Sequence, residues 1–147
     1  MKEEYVSYEC AVKLKELGFD WECDHSYLHN AIDKSGNPYL YHVEMRNWNN
    51  FNSEVECFSA PRLDQAQKWL REKGIHISVN PYMSYDVDAD GALYNEYPSW
   101  SFELMDVASA EFMNDAEGKH DSYESALSAG IDKALELLTI KSNGKWK

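Results

Sequence analysis

A chain of 147 residues with 44% apolar and 14% aromatic side chains has the length of one domain and enough apolar surface for one core, which excludes a disordered tail. Twenty-six acids against 14 bases leave a net charge of −12, which argues against a general binder of nucleic-acid backbone, since that needs a basic surface. No run approaches the roughly 20 apolar residues of a membrane span, the opening Met1-Lys2-Glu3-Glu4-Tyr5 is acidic where a signal peptide is basic and apolar, and three cysteines make no disulfide framework; a reduced, cytoplasmic protein without membrane contact is expected.

The first helix is expected from Ser7, an N-cap preceded by Val6 as a staple. Tyr8, Ala11, Leu14 and Leu17 recur at helical spacing, Gly18 stops the helix, and Phe19 folds back on Leu14. The turn Lys34-Ser35-Gly36-Asn37-Pro38 joins Tyr27–Ile32 to Tyr39–Arg46 as a hairpin. Val55–Phe58 reads as a short edge strand. The second helix has Pro61 in its first turn, an apolar stripe of Leu63, Ala66, Trp69 and Leu70, and Gly74 at its end. Ile75, Ile77 and Val79 alternate with polar residues, as do Trp100, Phe102 and Leu104, so both segments read as strands with one buried face. Asp86 to Pro98 reads as a long acidic connection between them. The third helix runs from Asp121 or Ser122 to about Thr139, with Asp121 and Glu124 in a capping-box pattern. Its stripe is Tyr123, Ala126, Leu127, Gly130, Ile131, Ala134, Leu135 and Leu138.

These elements predict an α+β fold: one domain over residues 1–141, a two-layer sandwich in which a mostly antiparallel sheet carries three helices on one face. The order is α-β-β-β-α-β-β-α, and residues 142–147 are expected to be a frayed basic tail. Tyr8, Leu14, Trp69, Leu70, Ile77, Phe102, Ile131 and Leu135 are the expected core.

Three groups of residues carry a resemblance: Val6-Ser7-Tyr8-Glu9 with Leu17-Gly18-Phe19; Ala60-Pro61 with Ala66-Gln67-Lys68-Trp69-Leu70-Arg71; and Ser122-Tyr123-Glu124-Ser125-Ala126 with Gly130-Ile131. Together they resemble small uncharacterised proteins of gut Bacteroides-type bacteria and of their phages and mobile elements. These motifs are caps and core stripes, so the resemblance supplies no catalytic residue. It implies a genomic setting, an accessory gene of a phage, a mobile element or its host.

The sharpest local motif is Asp86-Val87-Asp88-Ala89-Asp90-Gly91, whose alternate acids and glycine resemble a calcium loop. Position twelve, where a bidentate glutamate belongs, is Tyr97, with Glu96 one residue early, so no metal is expected at Asp86, Asp88 and Asp90. Cys23, His25 and His29, with Cys57, are zinc-type ligands at a spacing that matches no standard site. Cys10 reads as a small core residue. His42, His76 and Glu103, with Ser78 and Ser101, fall on polar strand faces and offer a hydrolase or metal-dependent alternative, but no nucleophile elbow accompanies them.

Charge distribution says more than any motif. Residues 86–124 hold eleven acids and one base, Lys119, a net of −10, which leaves only −2 for the rest of the chain. Tyr82, Tyr85, Tyr94, Tyr97 and Trp100 fall in or beside the same stretch. A local acidic field with tyrosine anchors suits recognition of a basic protein partner. The expected function is therefore non-enzymatic binding of a protein partner, with Asp88, Asp90, Glu96, Tyr94, Tyr97 and Glu103 as contact residues and no cofactor.

Overall fold

The computed structural model describes residues 4–115 and 118–142. Its elements are α1 (Tyr8–Glu16), β1 (Cys23–Ile32), β2 (Pro38–Arg46), a 3-10 turn (Trp48–Asn50), β3 (Cys57–Ser59), α2 (Leu63–Glu72), β4 (Ile75–Val87), β5 (Leu93–Asp106), β6 (Glu111–Asn114) and α3 (Tyr123–Ser142). The class is α+β, as the sequence predicts, but the single sheet is corrected to two antiparallel sheets, β2-β1-β3 and β4-β5-β6. The reason is local pairing: each hairpin joins strands adjacent in sequence, which costs little loop entropy, and α2 separates the two sets. The short strand β6 was not expected. The predicted tail lies outside the described residues from position 143 onward.

The described chain forms two compact units, one of residues up to Trp69 together with those from Leu135, the other Leu70–Ala134. In the first unit, Ser7 Oγ accepts the Cys10 N–H at 3.2 Å and caps α1. Gly18 has φ +91°, and the Phe19 N–H reaches the Leu14 carbonyl at 2.9 Å while Gly18 reaches Lys15 at 3.1 Å. These two bonds satisfy carbonyls that the helix end leaves open. Pro61 lies two residues before α2, and its carbonyl accepts the Val6 N–H at 3.1 Å. Strand β1 is central, pairing with β2 on one side and with the short edge strand β3 on the other. Tyr8 is half-buried, its ring set edge-on to Tyr27 and Phe58 at 5.6 Å each. The α3 stripe shifts near its end, since Leu137 is buried and Leu138 half-buried.

In the second unit, β4 and β5 pair from Ile75↔Asp106 to Val87↔Leu93, and β6 extends the sheet beside Glu103–Asp106. Ile75, Ile77, Phe102 and Leu104 are buried on one face. Gly130 of α3 lies against that face: a Cβ there would stand 3.0 Å from Ile77 Cγ2 and 3.2 Å from Phe102 Cγ. Only a residue without a side chain allows so close a seat. The N-cap of α3 is Ser122, whose Oγ accepts the Ser125 N–H at 3.0 Å. Seven of the eight expected core residues are buried; Tyr8 is the exception.

Candidate functional site

The stretch expected to be a long acidic loop is the outer half of a β-hairpin. Strand β4 runs on through Val87 and β5 starts at Leu93, so only Asp88–Ala92 connects them. Pro81 and Pro98 lie inside these two strands. Pro81 is tolerated because β4 is an edge strand, and Pro98 because β6 pairs with β5 only over Glu103–Asp106.

Strand alternation continues outward along the arm. Odd positions of β4 and their partners on β5 make one face: Ile75, Ile77 and Val79, then Pro81, Met83, Tyr85 and Val87. The inner part of this face is core. At its boundary, Trp100 meets Tyr123, the first residue of α3, edge-on at 5.7 Å. Beyond that point Met83, Tyr85, Val87 and Leu93 are exposed, Val87 by 60% and Leu93 by 64%. Tyr94 is exposed on the opposite face, in register with Asp86, and Tyr97 is half-buried, in register with Ser84. On that face Ser84 and Ser99 are buried and hydrogen-bonded at 2.8 Å. A register shift between Ser84 and Asp86 leaves β5 one residue longer. Asn95 there has φ +51° and donates to Asp86 Oδ2 at 2.8 Å. Such a bulge tightens the local twist of a ribbon.

The arm tip accounts for the calcium-like motif. Asp88 Oδ1 accepts the N–H groups of Asp90 and Ala92, each at 2.9 Å, and Gly91 takes φ +85°. The other hairpin is closed by the same device: Asp33 Oδ1 accepts from Ser35 at 2.8 Å and Asn37 at 3.0 Å, with Gly36 at φ +84°. Asp33 does this without flanking acids, so the aspartate and glycine at the arm tip answer to turn chemistry. Asp90 and Glu96 are exposed beside it.

His42, His76 and Glu103, which a single sheet could have held on one surface, are divided between two sheets. His42 lies on β2, while His76 lies on β4 and Glu103 on β5 of the other sheet. Ser78 is in register with Glu103, and Asn80 with Ser101. A cavity of about 220 Å3 opens on this face, lined by Asn80, Tyr82, Ser101, Glu103, Asn114 and Asp115. His76 is not among its lining residues. Beside it His120 Nε2 lies 2.7 Å from Asp115 Oδ2, both side chains being largely buried. Sequence reasoning missed this pair, because Asp115 and His120 meet only where the chain after β6 returns to pair with Trp100.

In the first unit, His25 is directly opposite His42 across β1 and β2, their ring centroids 4.9 Å apart. His25 Nδ1 also lies 3.0 Å from Asp24 Oδ1. That bond holds the Asp24 carboxyl below its usual range, helped by the nearby charges of His25 and His42. Cys23 and Cys57 are buried, and their thiols donate to the carbonyls of Trp21 and Val55 at 3.7 Å. Burial pushes the Cys23 thiol up to about 12, which disfavours the thiolate that binds zinc. The structure brings together Asp24, His25 and His42, and not Cys23, His25, His29 and Cys57. Among the described residues no helix is long and apolar enough to cross a membrane. The chain matches no protein-family model, no curated protein and no solved structure.

Proposed function

We propose that the protein is a non-enzymatic accessory factor that binds a basic protein partner through the outer half of the β4–β5 hairpin. One observation carries this reading: the apolar face of the hairpin continues past Trp100 and Tyr123 as exposed Met83, Tyr85, Val87 and Leu93. Apolar side chains exposed in a row on a two-stranded ribbon suit the centre of an interface, with polar groups as its rim. The rim here is acidic. Residues 74–118 contain no lysine or arginine, and Asp86, Asp88, Asp90 and Glu96 crowd the tip. A partner rich in lysine and arginine is therefore the complementary one, and a second copy of this chain would meet like charge. Tyr94 and Tyr97 extend the contact onto the opposite face of the ribbon. Glu103 belongs to the inner half and lines the cavity, so its part in binding is secondary. The resemblance to proteins of phages and mobile elements points to a host factor or defence protein as the partner. A reducing cytoplasm is the setting that suits three free cysteines.

A photoreactive side chain at Val87 should crosslink one basic protein in the source cell. With that partner purified, stopped-flow association should slow steeply with salt, because exposed charges beyond roughly 8–10 Å are screened at physiological ionic strength. Asp86→Asn, Asp90→Asn and Glu96→Gln together should lower the association rate, whereas Val87→Ser and Leu93→Ser should speed dissociation. Salt-independent association, with both sets of variants binding normally, overturns the reading. The cavity favours a second, enzymatic reading, in which Glu103 and the Asp115–His120 pair serve a small-molecule substrate. Turnover abolished by Glu103→Gln, with partner binding intact, is the result that selects it.

A further inference from the structure

We propose that Asp24, His25 and His42 form a binding site for a divalent transition ion of the zinc class. Each offers one ligand atom, and the three atoms lie within 4.8 Å of one another. Zinc bonds of about 2.0–2.2 Å place tetrahedral ligands roughly 3.4 Å apart, so small side-chain rotations close the set. The donor types select the ion. Two imidazoles and one carboxylate suit zinc, cobalt, nickel or copper, whereas calcium and magnesium take oxygen ligands almost exclusively.

The backbone supplies the juxtaposition. His25 and His42 are direct cross-strand partners, so their side chains leave the same face of the β1–β2 ladder. The ladder is irregular between Cys23 and His25, where three residues of β2 stand opposite Asp24 alone. This irregularity frees Asp24 from strict alternation, and its carboxylate turns to its neighbour His25. The Trp48 N–H bridges the gap, donating to the carbonyls of Cys23 at 3.1 Å and Glu44 at 2.9 Å. Two further contacts hold His25 in place, the Tyr5 ring at 4.0 Å between centroids and the Asp24 hydrogen bond. His42 is exposed, so an ion can enter from solvent. Three protein ligands leave a coordination position for water, the arrangement of an open site rather than a closed structural one. The site lies in the first unit and the arm in the second.

The test uses the untagged full chain, stripped with chelator and titrated calorimetrically with zinc chloride. Cobalt(II) absorption serves as a second, spectroscopic reading. One equivalent of zinc should bind, with cobalt bands of a low-coordinate nitrogen–oxygen site. His42→Ala should weaken binding at least about tenfold, the order seen when a metal site loses a supporting group. Because His42 is exposed, that variant should fold normally, as circular dichroism can verify. Asp24→Asn should weaken binding as well, and His29→Ala and His76→Ala should leave it unchanged. The proposal is overturned if no zinc binds, if His42→Ala binds as tightly as the parent, or if calcium binds as well as zinc.

Discussion

The inner and outer halves of the β4–β5 hairpin have the same period and nearly the same apolar content, yet opposite environments. In the inner half Ile75, Ile77, Phe102 and Leu104 are buried, with Gly130 of α3 against Ile77 and Phe102. In the outer half Met83, Tyr85, Val87 and Leu93 continue the same face in solvent. Alternation determines which side chains share a face, but it does not say whether anything covers that face. The covering element ends where Tyr123 meets Trp100. An apolar strip kept beyond that point contributes little to the fold of the isolated chain, which is why it reads as an interface.

Matched truncations offer the sharpest way to break the comparison. Leu104→Ala should cost about 2–5 kcal/mol, the range for a buried leucine, while Leu93→Ala should stay within about 0.5 kcal/mol. Urea denaturation of both variants decides it; an equal loss would mean that the outer strip is covered after all. Gly130→Val tests the seat of α3 on the inner half. The added atoms must displace Ile77 or Phe102, and an overpacking loss of about 1–3 kcal/mol is expected, read as a lower urea midpoint. Asp88→Ala removes two hydrogen bonds from the arm tip and should cost about 1 kcal/mol locally. Faster hydrogen exchange at Asp90 and Ala92, with the inner half unchanged, is the expected pattern. Exchange that also rises at Ile77 would show the two halves opening as one.

Tyr27 provides a further modest effect, a buried aromatic to set against the exposed Tyr94 of the arm. Its hydroxyl donates to the Val6 carbonyl at 2.8 Å, and burial raises its pKa above 10.0. A raised folded value means that the neutral hydroxyl is stabilised by folding. This contribution is complete below pH 10 and is lost as pH rises from there through the folded value. Tyr27→Phe should therefore cost about 0.5–1.5 kcal/mol at neutral pH and flatten the alkaline limb of the stability profile. A limb unchanged by this substitution would assign it to other groups.

Local chemistry made much of this legible in advance. Ser7, Gly18 and Phe19 bound α1 as their side chains and φ preferences require, and Ser122 caps α3. The stripe Ala126, Leu127, Ile131, Ala134 and Leu135 is buried because 3.6-residue spacing allows one face to be covered. The outer hairpin accommodates both prolines, because proline blocks a ladder only where its N–H is needed, and which side of a strand is free is a property of the sheet. Strand β6 was missed because Glu-Phe-Met-Asn is too short a run for its period to register.

The candidate sites divide along the same line. Sequence alone determined the helices, the strand period, the placing of the acids between residues 86 and 124, and the α+β class, because each depends on neighbours along the chain. Tertiary structure alone decided that there are two sheets, that the apolar strip of the arm is uncovered, and that His42 faces His25 rather than His76. These depend on register and on where α3 begins on its sheet. Strand pairing brings together residues 17 positions apart, such as His25 and His42, and no local propensity records which ones they will be.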